Sequence, residues 1–274
     1  MNGTLLPAGE ARVSVTDHGL TTGDGVFEAL KVTGGVPFAL TRHLARLAAS
    51  AAGLGLPGPD LDQIRAGVHA LLADVGRPDR ARIRITVTAG ASALSSERPG
   101  ALSSTGLTVI IMLGELHEGA PGCDVVTFPW PRNERGALAG VKTTSYAENV
   151  FALAYARERG AGEAIFGNLA GNLCEGSATN VFVVAGGRLV TPPLSAGCLA
   201  GVTRGLLIEW VGAAEEDLPL GALATAGEAF LTGTSRDVQP IRCVDGVALP
   251  AAPGPVTRKA AEIFAERSAE SPDP

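Results

Sequence analysis

The sequence predicts an α+β protein, on three observations: β-branched and aromatic runs paired across glycine turns, amphipathic stretches of helical period between them, and no regular strand–helix–strand alternation. At 274 residues the chain exceeds one typical domain. The expected partition is a small N-terminal domain over 1–113, a polar Gly/Pro-rich linker over 114–121, and a larger C-terminal domain over 122–274. Hydrophobic residues make up 46% and aromatics only 4%, so the core must be built from Ala, Val, Leu and Ile, with 36 glycines punctuating turns.

Residues 23–40 read as two strands, VFEALKV and VPFAL, joined at Gly34 and Gly35. Thr41 is placed to cap the next helix, whose apolar stripe of Leu44, Leu47, Ala48 and Ala51 ends at Gly53. Leu61, Ile64, Val68, Leu71 and Leu72 mark a second helix, stopped by Gly76. In RIRITVT, Ile83, Ile85 and Val87 alternate with polar residues as in a half-buried strand, and LTVIIML is its expected buried neighbour. Beyond the linker come a strand, CDVVTFPW, a glycine-spaced approach to Lys142, and a helix from Tyr146 to Arg159 with Val150, Leu153 and Ala154 on its apolar side. EAIFG, NVFVV and RLVTP read as strands, the last two joined as a hairpin at Ala185–Gly187. A helix follows GVTR, a strand pair surrounds Asp245, and PVTRKAAEIFAER closes the chain as a helix with Pro255 at its start.

The net charge of −6 and the scattered Lys and Arg argue against nucleic acid, which asks for a run of cations along phosphates. Mean hydropathy is positive, yet the strongly apolar stretch Leu107–Leu113 is far shorter than the roughly 20 residues of a spanning helix, so no membrane partner is expected. The first residues show no basic start followed by an apolar run, so no secretory signal is expected. Cys123, Cys174, Cys198 and Cys243 form no CxxC pair, which points away from zinc and disulfides and towards a reducing cytoplasm. His18, His43, His69 and His117 lack metal-ligand spacing and read as surface or capping residues; no metal is expected.

Five segments concentrate polar groups beside apolar strands. VKTTSYAENV carries Lys142 at the end of an extended approach and Tyr146 at a helix start. NLCEGSATNVFVV places Glu175 in a turn before a strand. In LAGVTRGLL, Val202 and Thr203 open a helix whose free amides and dipole favour an anion. FLTGTSRDVQP offers Thr234 and Ser235 in a turn, and RHLARL puts Arg46 on the first helix. Each segment alone is compatible with an ordinary solvated side chain or helix end.

Taken in order, with DHGLTTGDGVFEALKV at the front and TPPLSAGCLAGVTR near the end, these motifs resemble the class IV aminotransferase family over nearly the whole chain. These are the fold type IV pyridoxal-phosphate enzymes, which include D-amino-acid and branched-chain aminotransferases and 4-amino-4-deoxychorismate lyase. The resemblance implies pyridoxal 5′-phosphate as cofactor, lying between a small N-terminal α/β domain and a larger C-terminal, cofactor-binding domain in a homodimer. It implies that Lys142 carries the cofactor as a Schiff base and then moves the proton, that Glu175 faces the pyridine nitrogen, and that Tyr146 bonds the ring oxygen. Arg46, Val202, Thr203 and Thr234 would hold the phosphate.

Within the resemblance, FEALKV bears on substrate. Strand alternation sends Phe27, Ala29 and Lys31 to one face, and Glu28 and Leu30 to the other. The resembled lyases usually have threonine where this chain has Ala29, so the expectation is transfer from a D-amino acid or (R)-amine to a keto acid, with pyruvate elimination as the alternative. The glycine and arginine that branched-chain enzymes tend to show in this strand are absent, so that substrate class is not the expected one. Thr22 is a candidate substitute for the missing hydroxyl. Arg98 in SSERPG or Arg236 in GTSRD, beside Ser235, would supply the fork for a substrate carboxylate.

Overall fold

The computed structural model describes residues 1–98, 106–116 and 119–274. The chain forms two compact units, Met1–His117 with Val141–Tyr146 and Pro272–Pro274, and Glu118–Gly140 with Ala147–Ser271. Residues 117 and 118 of the expected linker lie outside the described residues, and Gly114 still belongs to a strand.

The first unit contains a short helix α1 (His18–Thr21), strands β1 (Gly25–Thr33) and β2 (Val36–Pro37), helices α2 (Leu40–Gly53) and α3 (Leu61–Asp74), and strands β3 (Arg80–Thr88) and β4 (Thr108–Gly114). Its antiparallel sheet has the order β2-β1-β3-β4. The β1–β2 turn needs two left-handed residues, and Gly34 and Gly35 supply them at φ 58° and 73°. One sheet face carries Val26, Leu30, Val32, Ile83, Ile85 and Val87, and it buries against Leu44, Leu47, Ile64, Val68 and Leu72 of the two helices. Each such side chain contributes about 1.5–3 kcal/mol of burial. Glu28 is the polar exception on the core side of β1. The opposite face of β1 carries Phe27, Ala29 and Lys31, in register with Thr86, Arg84 and Arg82 of β3.

Three expectations about this unit are corrected. LTVIIML is not a fully buried strand: β4 ends the sheet's strand order and is largely half-exposed, because only its Val109, Ile111 and Leu113 side chains reach the core. Thr41 does not cap α2, whose N-cap is Ala39; its amide and hydroxyl instead donate to Asp273 at 2.8 and 2.6 Å. His18 and His43 are buried and not surface residues, each facing a carboxylate, while His69 is exposed and His117 lies outside the described residues.

The second unit holds β5 (Cys123–Arg132), α4 (Ala147–Glu158), β6 (Glu163–Asn168), β7 (Leu173–Gly176), β8 (Asn180–Ala185), β9 (Arg188–Thr191), α5 (Val202–Val211), β10 (Ala214–Glu215), β11 (Ala229–Gly233), β12 (Asp237–Val244), β13 (Val247–Ala248) and α6 (Pro255–Glu270). Its mixed sheet runs β10-β9-β8-β11-β12-β5-β6-β7, with β13 paired to β12. β5 lies parallel to both β12 and β6, and β6–β7, β8–β9, β8–β11 and β11–β12 are antiparallel. On α4 the buried residues are Ala152 and Ala156, whereas Val150 and Ala154 of the expected apolar side are exposed. Small side chains let the helix sit close to Phe128 and Phe166, which outweighs the bulk of valine. Among the described residues no helix is long and apolar enough to cross a membrane.

Candidate active site

Lys142 follows the expected linker in sequence, yet its segment Val141–Tyr146 packs with the first unit. The reason is backbone pairing with β1: the Phe27 amide donates to the Lys142 carbonyl at 3.0 Å, and the Thr144 amide donates to the Gly25 carbonyl at 2.8 Å. The Thr144 hydroxyl reaches the Gly23 carbonyl at 2.8 Å, and the Ser50 hydroxyl accepts from the Lys142 amide at 3.3 Å. Gly23 must be glycine here, at φ 70° and with a Cβ that would stand 2.4 Å from Ser145 Oγ. This pairing brings three expected residues together. Lys142 Nζ lies 4.4 Å from the Phe27 ring centre and 5.7 Å from that of Tyr146, and the two rings meet edge to face at 5.3 Å.

Arg46 rises from α2 to Glu28. Its Nε donates to Glu28 Oε1 at 2.6 Å and its Nη2 to Oε2 at 2.7 Å, a bidentate fork. His43, one turn earlier, completes the cluster with Nδ1 2.7 Å from Glu28 Oε2. Burial alone raises the Glu28 carboxyl, but the charge and hydrogen bond of Arg46 outweigh it and hold the group down at about 2. Burial pushes His43 below the usual imidazole range despite Glu28, with Arg46 and Lys142 acting in the same direction as burial. The neutral ring is therefore a donor through Nδ1 to the carboxylate.

In the second unit, Glu175 stands on β7 opposite Phe166 and not in a turn, and it is only 9% exposed. Its Oε2 accepts from the Leu199 amide at 2.8 Å, and Arg132 Nη2 is 3.4 Å from Oε1. Asn180 Nδ2, at the start of β8, donates to the Leu199 carbonyl at 2.9 Å, so the loop entering α5 is tied both to β7 through Glu175 and to β8 through Asn180. α5 starts at Gly201 without a side-chain cap, leaving the first-turn amides with no intrahelical acceptor. A Cβ at Gly201 would lie 2.0 Å from Asn180 Oδ1, so a larger residue there would displace the Asn180 amide or the helix start. Thr203 in that first turn is buried, Thr234 is half-buried, and the nearby Thr232 hydroxyl is buried without a hydrogen-bond partner. Burial pushes up the thiols that flank Glu175, Cys198 to about 12 and Cys174 further, so neither is a thiolate at neutral pH.

Both arginines expected at the substrate are turned to acids of the chain. Arg98 forks onto Asp24 at 2.7 and 2.6 Å and donates to the Gly55 and Leu54 carbonyls. Arg236 reaches the fully buried Glu163 at 3.1 Å and the Gly162 carbonyl at 3.1 Å. The Thr22 hydroxyl donates to the His18 carbonyl at 2.9 Å, and Ser235 is exposed in its turn.

The residue that sequence reasoning passed over is Arg84. It projects from β3 on the Phe27 face, in register with Ala29, and its guanidinium carbon is 3.8 Å from the Phe27 ring centre. Its hydrogen bond is to the Thr86 hydroxyl at 3.2 Å, and it makes no ion pair among the described residues. Burial, then Arg82, lower its pKa, as expected of a cation short of counter-charge. The alternation of RIRITVT already put Arg84 opposite the core side; pairing that strand with FEALKV would have set it beside Ala29.

The family model for class IV amino-transferases matches residues 25–244, which span β1 to β12. The chain belongs to the class IV aminotransferase family. It is 34% identical to a putative branched-chain-amino-acid aminotransferase of Methanocaldococcus jannaschii, over 96% of this chain and 94% of that one. It is 29% identical to the D-alanine aminotransferase of Bacillus licheniformis, over 94% and 92%. The fold IV transaminase CpuTA1 of Curtobacterium pusillum superposes with a TM-score of 0.85 at 30% identity, covering 96% of this chain and 93% of that one. The fold is thus that of the fold type IV enzymes, and the chain is a pyridoxal-phosphate-dependent aminotransferase acting on small amino and keto compounds.

The residues present fit that cofactor by donor chemistry. An aldehyde asks for an amine, which Lys142 offers against two aromatic rings. A pyridine nitrogen asks for a carboxylate, which Glu175 offers from a buried strand. A phosphate asks for cations, hydroxyls and unpaired amides, which Arg46, the Thr232–Thr234 stretch and the uncapped start of α5 offer.

Proposed function

We propose that this aminotransferase moves an amino group from a D-amino acid or (R)-amine to a small keto acid, and that Arg84 receives the carboxylate of the substrate. The observation that carries the reading is the half-buried Arg84 guanidinium, unpaired with any acid among the described residues, on the same ring as the Lys142 amine. When bound, pyridoxal phosphate supplies an electron sink for negative charge at the substrate Cα. Lys142 would hold the cofactor through its amine and would accept and return the proton at the substrate Cα. Glu175 would keep the pyridine nitrogen protonated, and Tyr146 would hydrogen-bond the ring oxygen. Arg46, the amides of Val202 and Thr203, and the Thr234 hydroxyl would hold the phosphate. Phe27 and Ala29 shape the substrate side.

Arg84 favours donors that carry a carboxylate, so among the two donor classes it supports the D-amino acid over the (R)-amine. The D-alanine aminotransferase likeness, which spans 94% of the chain, supports the same class. A second reading, a branched-chain amino acid donor, is favoured by the 34% identical archaeal relative. We also infer a homodimer: Trp130 and Phe151 of the second unit are 51% and 56% exposed, apolar surface that a partner chain would cover.

The test is a donor and acceptor screen read by cofactor absorbance and product analysis, run on the parent and Arg84→Gln. Loss of a charge-assisted carboxylate contact should lower kcat/KM about 10- to 150-fold, chiefly through KM for the keto acid. Transfer from D-alanine that exceeds transfer from leucine supports the reading, and the reverse order selects the branched-chain alternative. An unchanged KM in Arg84→Gln would remove Arg84 from the substrate.

A further inference from the structure

The core face of β1 reads Val26, Glu28, Leu30, Val32, and of these only Glu28 is polar, with no exposure to solvent. A buried ion pair seldom stabilises a fold more than well-packed apolar side chains of the same size would, so stability alone is a weak reason for an acid there. What the carboxylate does geometrically is specific. Oε1 takes Arg46 Nε, and Oε2 takes both Arg46 Nη2 and His43 Nδ1, all between 2.6 and 2.7 Å. Two parallel bonds fix the plane of the guanidinium as well as its position, whereas one bond would leave it free to swivel. A guanidinium has five N–H donors, so engagement by a carboxylate does not exhaust what it can offer an anion.

The neighbouring residue on the same strand performs the matching task on the other face. Phe27 donates its amide to the Lys142 carbonyl and lays its ring against the Lys142 amine. Adjacent residues of one strand thus hold the lysine backbone and the arginine side chain. We propose that Glu28, steadied by His43, is a positioning residue for the cofactor: it sets the orientation of Arg46 toward the phosphate, so that β1 fixes Lys142 and Arg46 at one spacing. The inference rests on the reading of Arg46 as a phosphate partner.

Glu28→Gln, Glu28→Asp, His43→Gln and Arg46→Ala are compared as holoenzymes with the parent, each loaded either with pyridoxal 5′-phosphate or with pyridoxal, which has no phosphate. Loss of cofactor on dilution is followed by absorbance, with thermal melts as a control for folding. Glu28→Gln should weaken retention of the phosphorylated cofactor about tenfold or more, the worth of one charge-assisted hydrogen bond, and change pyridoxal retention far less. Glu28→Asp keeps the charge but draws the fork back by one methylene, and should give a smaller loss with the same selectivity. His43→Gln should lie between Glu28→Asp and the parent. Arg46→Ala should show the selective loss at least as strongly. If Arg46→Ala leaves phosphate selectivity intact, the phosphate reading of Arg46 fails, and the positioning role with it. If Arg46→Ala is selective while Glu28→Gln and Glu28→Asp match the parent, or weaken both cofactors equally, Glu28 is structural and the inference alone is overturned.

Discussion

Glu175 and Ala29 are the residues whose chemistry can be separated from cofactor retention. Glu175→Gln keeps the shape on β7 and one acceptor for the Leu199 amide, but removes the charge proposed to partner the pyridine nitrogen. The chemical step should slow on the order of 10²-fold while the cofactor stays bound, since the proposed phosphate partners are unchanged. Single-turnover decay of the cofactor absorbance with a good amino donor checks this, and a parental rate would remove Glu175 from the ring. Ala29 has no hydroxyl, and Thr22, its candidate substitute, already donates to the His18 carbonyl. Pyruvate elimination needs a proton handled at the substrate in addition to the one at Cα, and a missing general acid costs about 10² to 10⁴ in rate. The parent should therefore transfer amino groups faster than it releases 4-aminobenzoate, and Ala29→Thr should narrow the gap. Efficient 4-aminobenzoate release by the parent, with no transfer from any donor, would reverse that assignment.

At the scale of elements, the start of α5 and the core face of β1 carry the clearest consequences. Gly201→Ala places a methyl 2.0 Å from Asn180 Oδ1, so either the Asn180 amide, which braces the Leu199 carbonyl, or the first turn of α5 must shift, and either disturbs the helix start. A helix start is worth about 0.3–2 kcal/mol to an anion, so cofactor retention should fall between about 2- and 30-fold, measured by dialysis of the holoenzyme. Glu28 titrates lower when folded than when unfolded. Its contribution to stability is present above its ordinary value of 4.5 and is lost as pH falls towards about 2. His43, depressed first by burial, has the same sign, since its neutral folded form is lost as protons are added. Urea midpoints between pH 6 and pH 3 should accordingly fall more steeply for the parent than for Glu28→Gln. Local pattern made much of this visible in advance: the Gly34–Gly35 hairpin, the alternation of Ile83, Ile85 and Val87, and the motif that places Lys142. It did not show that Val141–Tyr146 pairs with β1, because a backbone pairing across more than a hundred residues leaves no periodicity behind. For the same reason Arg98, Arg236 and Arg84 look alike in sequence; only the fold shows that Asp24 and Glu163 occupy the first two.

For the whole molecule, the homodimer proposal predicts a solution mass of twice the 27.8 kDa chain, to be measured by light scattering on the holoenzyme at micromolar concentration. A monomer that remains fully active would show that the exposed Trp130 and Phe151 serve another purpose. The central claim is that Lys142 carries the cofactor, and the composition of the chain makes it unusually easy to test. There are three lysines, Lys31, Lys142 and Lys259. Lys31 stands over the Phe38 ring on β1, and Lys259 is exposed on α6. Borohydride treatment of the yellow holoenzyme, followed by peptide mapping with mass spectrometry, should place the pyridoxyl group on Lys142 alone, and Lys142→Ala should abolish both the labelled peptide and turnover. A pyridoxyl group on Lys31 or Lys259, or a Lys142→Ala protein that still fixes the cofactor and turns over, would contradict the account.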